Sequence, residues 1–335
     1  MLRRESLRTP GRRIRRLGLT TLLCVTACAD RASRGSEDVA GDGDGEPGTG
    51  DGDGEPGTGD GDGDGEPGTG DGDGEPHEQP CESEHDGMIC IPAGPFIMGS
   101  SGLAYLGELE IPEQQVEMSR YHIDRHEVTF GEYRACVDAG VCTPPTVENP
   151  DDDLTLGCRW SNPDIDEYPV ACIEWPQARA YCQWRGADLP TEAQWEKAGR
   201  GTDGRSYPWG NEEPSCQYAS MASDLGEWGC GSGMAQLPGS HSPQGDSPYG
   251  VQDMVGNVQE LVLDWLGPGQ PKLGTDPVGP ARGTWKVAKG GAFHVTQEDN
   301  ENGDWLHLPW RGQGGWPQPG LQLGPMIGFR CAISG

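Results

Sequence analysis

From Cys81 to the C-terminus the apolar residues fall in short runs, each interrupted within a few positions by glycine, proline or a polar side chain. Such a pattern predicts brief elements and few long helices. Three short helices are signed. Thr129-Phe130-Gly131-Glu132 and Thr191-Glu192-Ala193-Gln194 are capping boxes, which predict helices through about Asp138 and about Ala198. A third runs from Pro176 to Trp184 and stops at Gly186. Strands are expected at Phe96–Met98, Tyr121–Asp124, Gly291–Val295 and Phe329–Ile333. Ahead of Cys81 the pattern changes. The one apolar run, Leu17 to Val25, is far shorter than the roughly 20 residues that span a bilayer, and residues 41 to 76 contain nothing able to seed a core. The expected organisation is a signal over 1–27, a tether over 28–80 and one domain over 81–335, long enough to bury a large core.

Composition sharpens both N-terminal segments. Arg3, Arg4, Arg8, Arg12, Arg13, Arg15 and Arg16 precede the Leu17–Val25 run, the layout of an export signal. It closes on Val25-Thr26-Ala27-Cys28, which is similar to a bacterial lipobox and makes Cys28 the expected lipidation site. The alternative is ordinary cleavage near Thr26-Ala27-Cys28-Ala29 and a soluble exported protein. Acyl chains on Cys28 would anchor the protein to a membrane at about 0.8 kcal/mol per buried methylene. The stretch 41–76 repeats Gly-Asp-Gly-Asp-Gly-Glu-Pro-Gly-Thr and carries 13 carboxylates. Like charges and glycine make it an extended, disordered tether; its spacing fits neither an EF-hand loop nor a calcium-binding nonapeptide. The acidic excess is not confined there. The whole chain has a net charge of −30, and after residue 80 there remain 36 acidic against 15 basic residues. Nucleic acid is therefore excluded as a partner on electrostatic grounds.

Besides Cys24 and Cys28 there are ten cysteines: Cys81, Cys90, Cys136, Cys142, Cys158, Cys172, Cys182, Cys216, Cys230 and Cys331. An even number in an exported, loop-rich domain reads as about five disulfides. Zinc would want Cys-x-x-Cys pairs, and none occurs. Spacing leaves the connectivity open, with Cys81/Cys90 and Cys216/Cys230 suggested as local pairs.

Eight motifs follow in order: Pro92-Ala93-Gly94-Pro95-Phe96-Ile97-Met98-Gly99, Ile123-Asp124-Arg125-His126-Glu127-Val128-Thr129, Pro169-Val170 leading to Trp175, Leu189 to Glu196, Tyr207-Pro208-Trp209-Gly210-Asn211, Tyr249 to Met254, Gly256-Asn257-Val258, and Gly328-Phe329-Arg330-Cys331. By this series, from Met88 to Ile333, the chain resembles the formylglycine-generating enzyme (sulfatase-modifying factor) family. The resemblance implies that family's α+β fold, related to C-type lectin domains, poor in regular secondary structure and stapled by disulfides, and it implies a Cys182–Cys331 pair. It also implies copper-dependent oxidation of a substrate cysteine, with Cu(I) held by two thiolates. Those thiolates should stand at Val295 and Asn300, where neither side chain can bind Cu(I). Ala292 replaces the expected serine and Gln259 the expected tryptophan, so a copper cofactor is not expected. His294 is read as packed or solvent-facing. A rescue by Asp299, Glu301 and Asp304 near His307 competes with a plain acidic loop, and the second helical domain that would supply an iron-binding histidine triad is lacking. The resemblance does imply one calcium site, made by the Asp253 and Glu260 side chains and the carbonyls of Gly256 and Val258; the alternative is ordinary caps and surface acids. Ser220 stands where a second calcium site would need asparagine.

Three functions remain from different classes. The leading expectation is a noncatalytic, membrane-tethered domain of the bacterial cell envelope that binds a protein or a glycan through Trp305, Trp310, Arg311 and Trp316. For Trp310 and Arg311, plain membership of the core is the rival reading. The second is a formylglycine-type oxidase with a non-standard metal site, and the third a passive structural lipoprotein.

Overall fold

The structure is a computed structural model, and it describes residues 81, 85–100, 112–145, 158, 160–267, 274–297, 305–313, 324 and 326–335. All belong to the compact unit Asp71–Gly335; the unit Met1–Gly70, with the expected signal, Cys28 and most of the tether, lies outside the described residues.

Nine short strands, three α-helices and two short 3-10 helices make up the described domain. Strands β1 (Met88–Ile91), β4 (Tyr121–Asp124) and β9 (Ala332–Ser334) form an antiparallel sheet with β4 central. Strands β2 (Gly94–Met98) and β3 (Gln114–Met118) form a hairpin sheet. Strands β5 (Gln259–Leu266), β6 (Trp285–Lys289), β7 (Gly312–Gln313) and β8 (Ile327–Phe329) form a sheet in the order β7-β6-β5-β8, in which only β5 and β8 run parallel. Helix α1 (Phe130–Asp138) and helix α3 (Glu192–Arg200) begin at the two capping boxes: the Glu132 backbone amide donates to Thr129 Oγ1, and the Gln194 amide to Thr191 Oγ1. Helix α2 (Trp175–Trp184) starts one residue earlier than expected, because the Gln177 side chain reaches back to accept from the Glu174 amide at 2.9 Å.

Alternation along the strands decides what is buried. In β2 and β3 the inward residues Phe96, Met98, Val116 and Met118 pack with Ala193, Trp195 and Ala198 of α3 in one core cluster. A second cluster gathers Tyr133 of α1, Tyr181 of α2 and Phe329 of β8, with the Tyr133 and Tyr181 rings stacked at 5.6 Å.

Two strand expectations are corrected. Gly291–Val295 forms a turn, since Gly290 and Gly291 hold φ of +90° and +67°, outside any β conformation. The expected Phe329–Ile333 strand is broken at Arg330–Cys331 into the ends of β8 and β9, which belong to different sheets. All ten cysteines from Cys81 onward are paired: Cys81–Cys90, Cys136–Cys142, Cys158–Cys172, Cys182–Cys331 and Cys216–Cys230. Cys182–Cys331 spans 149 residues and ties α2 to the C-terminal end. In the chain-entropy account a crosslink over so long a loop stabilises by about 5 kcal/mol.

Candidate functional site

Two neighbouring regions gather the chemistry, one on each side of β5. The first is a cavity of about 220 Å³ whose lining includes Ala292, His294 and Val295 from the turns after β6, Trp305 and Trp310 from the segment beyond, and Gln259 from β5. The turns are held rigidly. The Phe293 amide donates to the Asn257 carbonyl at 3.0 Å, the Gly229 amide to the Phe293 carbonyl at 2.8 Å, and the Ala222 amide to the Val295 carbonyl at 3.0 Å. Gly291 is required here for space as well as for its dihedral angle: a Cβ would stand 2.6 Å from Leu306 Cδ2 and 2.8 Å from the Trp305 carbonyl oxygen. Val295 and Ala292, the positions where a thiol and a hydroxyl would be needed for copper chemistry, are buried and present only methyl groups. Trp305, 38 % exposed, stacks on Trp310 at 5.8 Å and 19°. Trp310 is nearly buried and its indole Nε1 has no hydrogen-bond partner. Among the described residues no Asp, Glu, Lys or Arg lines the cavity, so it suits an uncharged group with an acceptor for that N–H.

Arg311 does not belong to this surface. Its guanidinium is buried, with Nε 2.7 Å from Glu192 Oε1 and Nη1 donating to the Gly267 carbonyl, because its charge is needed in a packed layer behind the cavity. There Lys289 Nζ lies 3.3 Å from Glu196 Oε2, and Arg200 pairs with the same glutamate. Burial lowers the Lys289 pKa, and the two glutamates oppose that shift. His307 packs edge-on against Tyr207 and is held down to about 4, first by burial and then by Arg200 and Lys289. Trp316, Asn300, Asp299, Glu301 and Asp304 lie outside the described residues.

The second region is the turn before β5. Asp253, Gly256 and Asn257 all take positive φ, +52°, +79° and +53°, which coils the backbone tightly. Gly256 cannot be replaced without movement, since a Cβ there would strike the Ser220 carbonyl oxygen. Asp253 is buried and accepts from the Gly239 amide. Glu260 is gripped by Arg330, Nε to Oε2 and Nη2 to Oε1 both at 2.6 Å, and Trp195 Nε1 donates to Oε2 at 2.9 Å. Glu127, from the segment entering α1, accepts from Asn257 Nδ2 at 3.0 Å through Oε1, while its buried Oε2 has no partner. Burial pushes the Asp253 carboxyl up to about 6. Burial, followed by repulsion from Asp253, raises Glu127 well above the usual carboxylate range.

The donor types expected for calcium, two carboxylates and two backbone carbonyls, are hard oxygen ligands, the kind that ion takes. Glu260 Oε1 accepts one bond from Arg330 and retains acceptor capacity. Among the described residues no three His, Cys, Asp or Glu side chains converge closely enough to coordinate one ion together; the expected set needs only two.

Glu127, Asn257 and Arg330 were assigned no role from the sequence, although all three sit inside quoted motifs. Their meaning lies in contacts across 70 to 130 residues, for which a linear pattern has no signal.

The residues 73–334 match the model of the sulfatase-modifying factor enzyme 1-like domain. The chain is 34% identical over 254 residues to the formylglycine-generating enzyme of Thermomonospora curvata, covering 62% of this chain and 82% of that one. It is 30% identical over 243 residues to hercynine oxygenase of Mycolicibacterium smegmatis, covering 62% of this chain and 54% of the relative. Among solved structures, PvdO from Pseudomonas aeruginosa superposes with a TM-score of 0.56 at 22% identity over 74% of this chain and 94% of that one, which shows the shared fold. Matched motifs, fold and family model together place this chain in the sulfatase-modifying-factor family.

Proposed function

We propose that this protein is a noncatalytic member of its family, exported and held at the cell envelope by lipid on Cys28, whose tether over 28–80 presents a binding domain over 81–335. The observation that carries the reading is that every cysteine of that domain is consumed in a disulfide while the cavity presents Val295 and Ala292. Cu(I) chemistry on a substrate thiol requires soft thiolate ligands, and none remains. What the cavity offers instead is an apolar floor, the stacked Trp305–Trp310 pair and one unsatisfied indole N–H, suited to an uncharged ring or side chain of a protein or glycan.

Calcium belongs to the same reading as a structural ion. Asp253, Glu260 and the Gly256 and Val258 carbonyls would hold it, and its charge would offset buried carboxylates beside the strand that carries Gln259.

The test uses the purified full chain. With a cysteine-containing peptide in air and added copper, the peptide should remain unmodified. Glycan and peptide arrays should yield a ligand whose binding quenches tryptophan fluorescence and weakens at least tenfold in Trp310→Phe, which retains the ring and removes the N–H. An aldehyde product on the peptide would overturn the noncatalytic reading in favour of an oxidase. Arrays without any ligand would support a passive structural lipoprotein.

A further inference from the structure

The carboxamide of Gln259 is the polar group that the fold leaves unused at the cavity. Its side chain is half-buried and makes no hydrogen bond to any described residue, while its oxygen and nitrogen stay open to solvent. Gly312 of β7 explains how it lies. A Cβ there would stand 2.3 Å from Gln259 Nε2 and 2.4 Å from Trp310 Cη2, so the carboxamide and the edge of the Trp310 ring meet over a bare α-carbon. The same cavity is walled by the methyl groups of Ala292 and Val295, and by Trp305, which stacks on Trp310 and keeps 38 % of its own surface exposed. Backbone groups of the wall are spent inside the domain. The amides and carbonyls of Phe293 and Val295 and the amide of Gln259 all carry internal hydrogen bonds, so these positions offer an extended peptide no ladder to join.

We propose that this cavity is a sugar subsite selective for an uncharged N-acetylated hexosamine, with the acetamido group on the Gln259 carboxamide, its methyl against Ala292 and Val295, and the sugar ring laid on Trp305. The inference rests on the binding-domain reading above and names the ligand class for it. A carboxamide supplies both donors and an acceptor, the complement of a secondary amide, whose N–H and C=O need one of each. The methyl wall suits the acetyl group, and the exposed indole gives the flat apolar side of a pyranose a surface to pack on. Size limits the occupant. At about 220 Å³ the cavity is smaller than the roughly 300–1,000 Å³ of drug-sized sites, so it takes one sugar unit and not a chain of them. Charge sets the remaining limit. Among the described residues no Asp, Glu, Lys or Arg lines the cavity, and residues 81–335 hold 36 acidic against 15 basic side chains, so an acidic sugar meets repulsion and no counter-charge.

The experiment is titration of the full chain, followed by tryptophan fluorescence and calorimetry, with four small probes. These are methyl N-acetyl-β-glucosaminide, methyl β-glucoside, methyl β-glucuronide, and N-acetylalanine methylamide, which carries the acetamido group without a sugar ring. The N-acetylglucosaminide should bind and quench fluorescence, and the other three should bind at least about tenfold more weakly, as a matched methyl and hydrogen bond discriminate. Gln259→Leu should melt close to the wild type and lose at least about tenfold in affinity for the N-acetylglucosaminide, down to that of the glucoside. Trp305→Ala should abolish the quenching, and Val278→Ala, at an exposed position outside the cavity, should match the wild type. Equal affinity of the wild type for the glucoside and the N-acetylglucosaminide would overturn the acetamido subsite, and so would an unchanged affinity in Gln259→Leu. N-acetylalanine methylamide binding as tightly as the sugar would overturn it in favour of a peptide ligand; in each of these cases the binding-domain reading survives. If none of the four probes binds while arrays yield another ligand, the sugar subsite falls alone. If the arrays are empty as well, both fall together.

Discussion

Gln259 and Glu260 are consecutive residues of β5, yet they serve regions that stand differently against the family pattern. Gln259 lines the cavity, while Glu260 turns away from it to Arg330 and Trp195. Successive side chains on a strand point to opposite faces, so one backbone can carry a face that departs from the family pattern beside a face that keeps it. On the cavity side the resemblance leads one to expect a tryptophan, a serine and a cysteine, and Gln259, Ala292 and Val295 stand there instead. On the other side Asp253, Gly256, Asn257 and Glu260 all match the family pattern. The physical difference is that Gln259, Ala292 and Val295 border the cavity, where an exchange meets fewer neighbours. The residues of the turn hold buried charge or positive φ, where removing any one strands its partners.

The sharpest way to break the contrast is Arg330→Met, which leaves Glu260, Asp253 and Glu127 with no cation. Denaturant unfolding in chelator should show a loss of about 3–5 kcal/mol, as for other buried pairs stripped of one member. A loss below 1 kcal/mol would mean the carboxylates are already neutral.

Next in size is a pH effect from the layer behind the cavity. His307 is a base whose folded pKa, about 4, lies below its ordinary 6.5. The unfolded chain therefore binds the extra proton between those values, and stability falls as the pH drops through that window. The shift corresponds to roughly 3 kcal/mol. Urea unfolding of the wild type and His307→Gln at pH 7 and pH 4.5 should show a markedly smaller acid loss in the variant; parallel losses would remove His307 as the cause.

Gly291→Ala forces a Cβ against Leu306 and the Trp305 carbonyl at φ +67°. It should cost about 1–3 kcal/mol of stability and weaken ligand binding while leaving calcium affinity unchanged. Matched loss of both affinities would show that the two regions are coupled through β5.

The smallest effect sharpens the contrast most. Gln259→Leu should change stability by less than about 1.5 kcal/mol, as a near-isosteric exchange, and should leave the calcium titration unmoved. A large shift in calcium affinity would show that the strand does not insulate its faces.

The sequence reveals those features whose cause is local. The helix starts are legible because Thr129 with Glu132, and Thr191 with Gln194, satisfy each other within one turn. The long pair Cys182–Cys331 was implied by resemblance and is observed, whereas Cys136–Cys142 and Cys158–Cys172 could not be chosen among the combinations that ten cysteines allow. Gly291–Val295 misled because an apolar run after two glycines has strand composition, while its backbone is dictated by what lies above it. Arg311 stood open between a binding face and the core, and only Glu192, more than a hundred residues earlier, shows that it turns inward. In the candidate site the turn was legible as a motif, but Glu127 was not, because its partner Asn257 is 130 positions away.

Arg330 and Cys331 come after every residue they hold: Asp124, Cys182 and Glu260 all precede them in the chain. Synthesis runs from the N-terminus, so the charge that steadies Glu260 and the sulfur that locks α2 arrive after the parts they hold have been made. A chain interrupted before residue 330 has neither. Until then Cys182 lacks its disulfide partner and Glu260 its guanidinium, so the closing of these two contacts is a late event in the making of the domain.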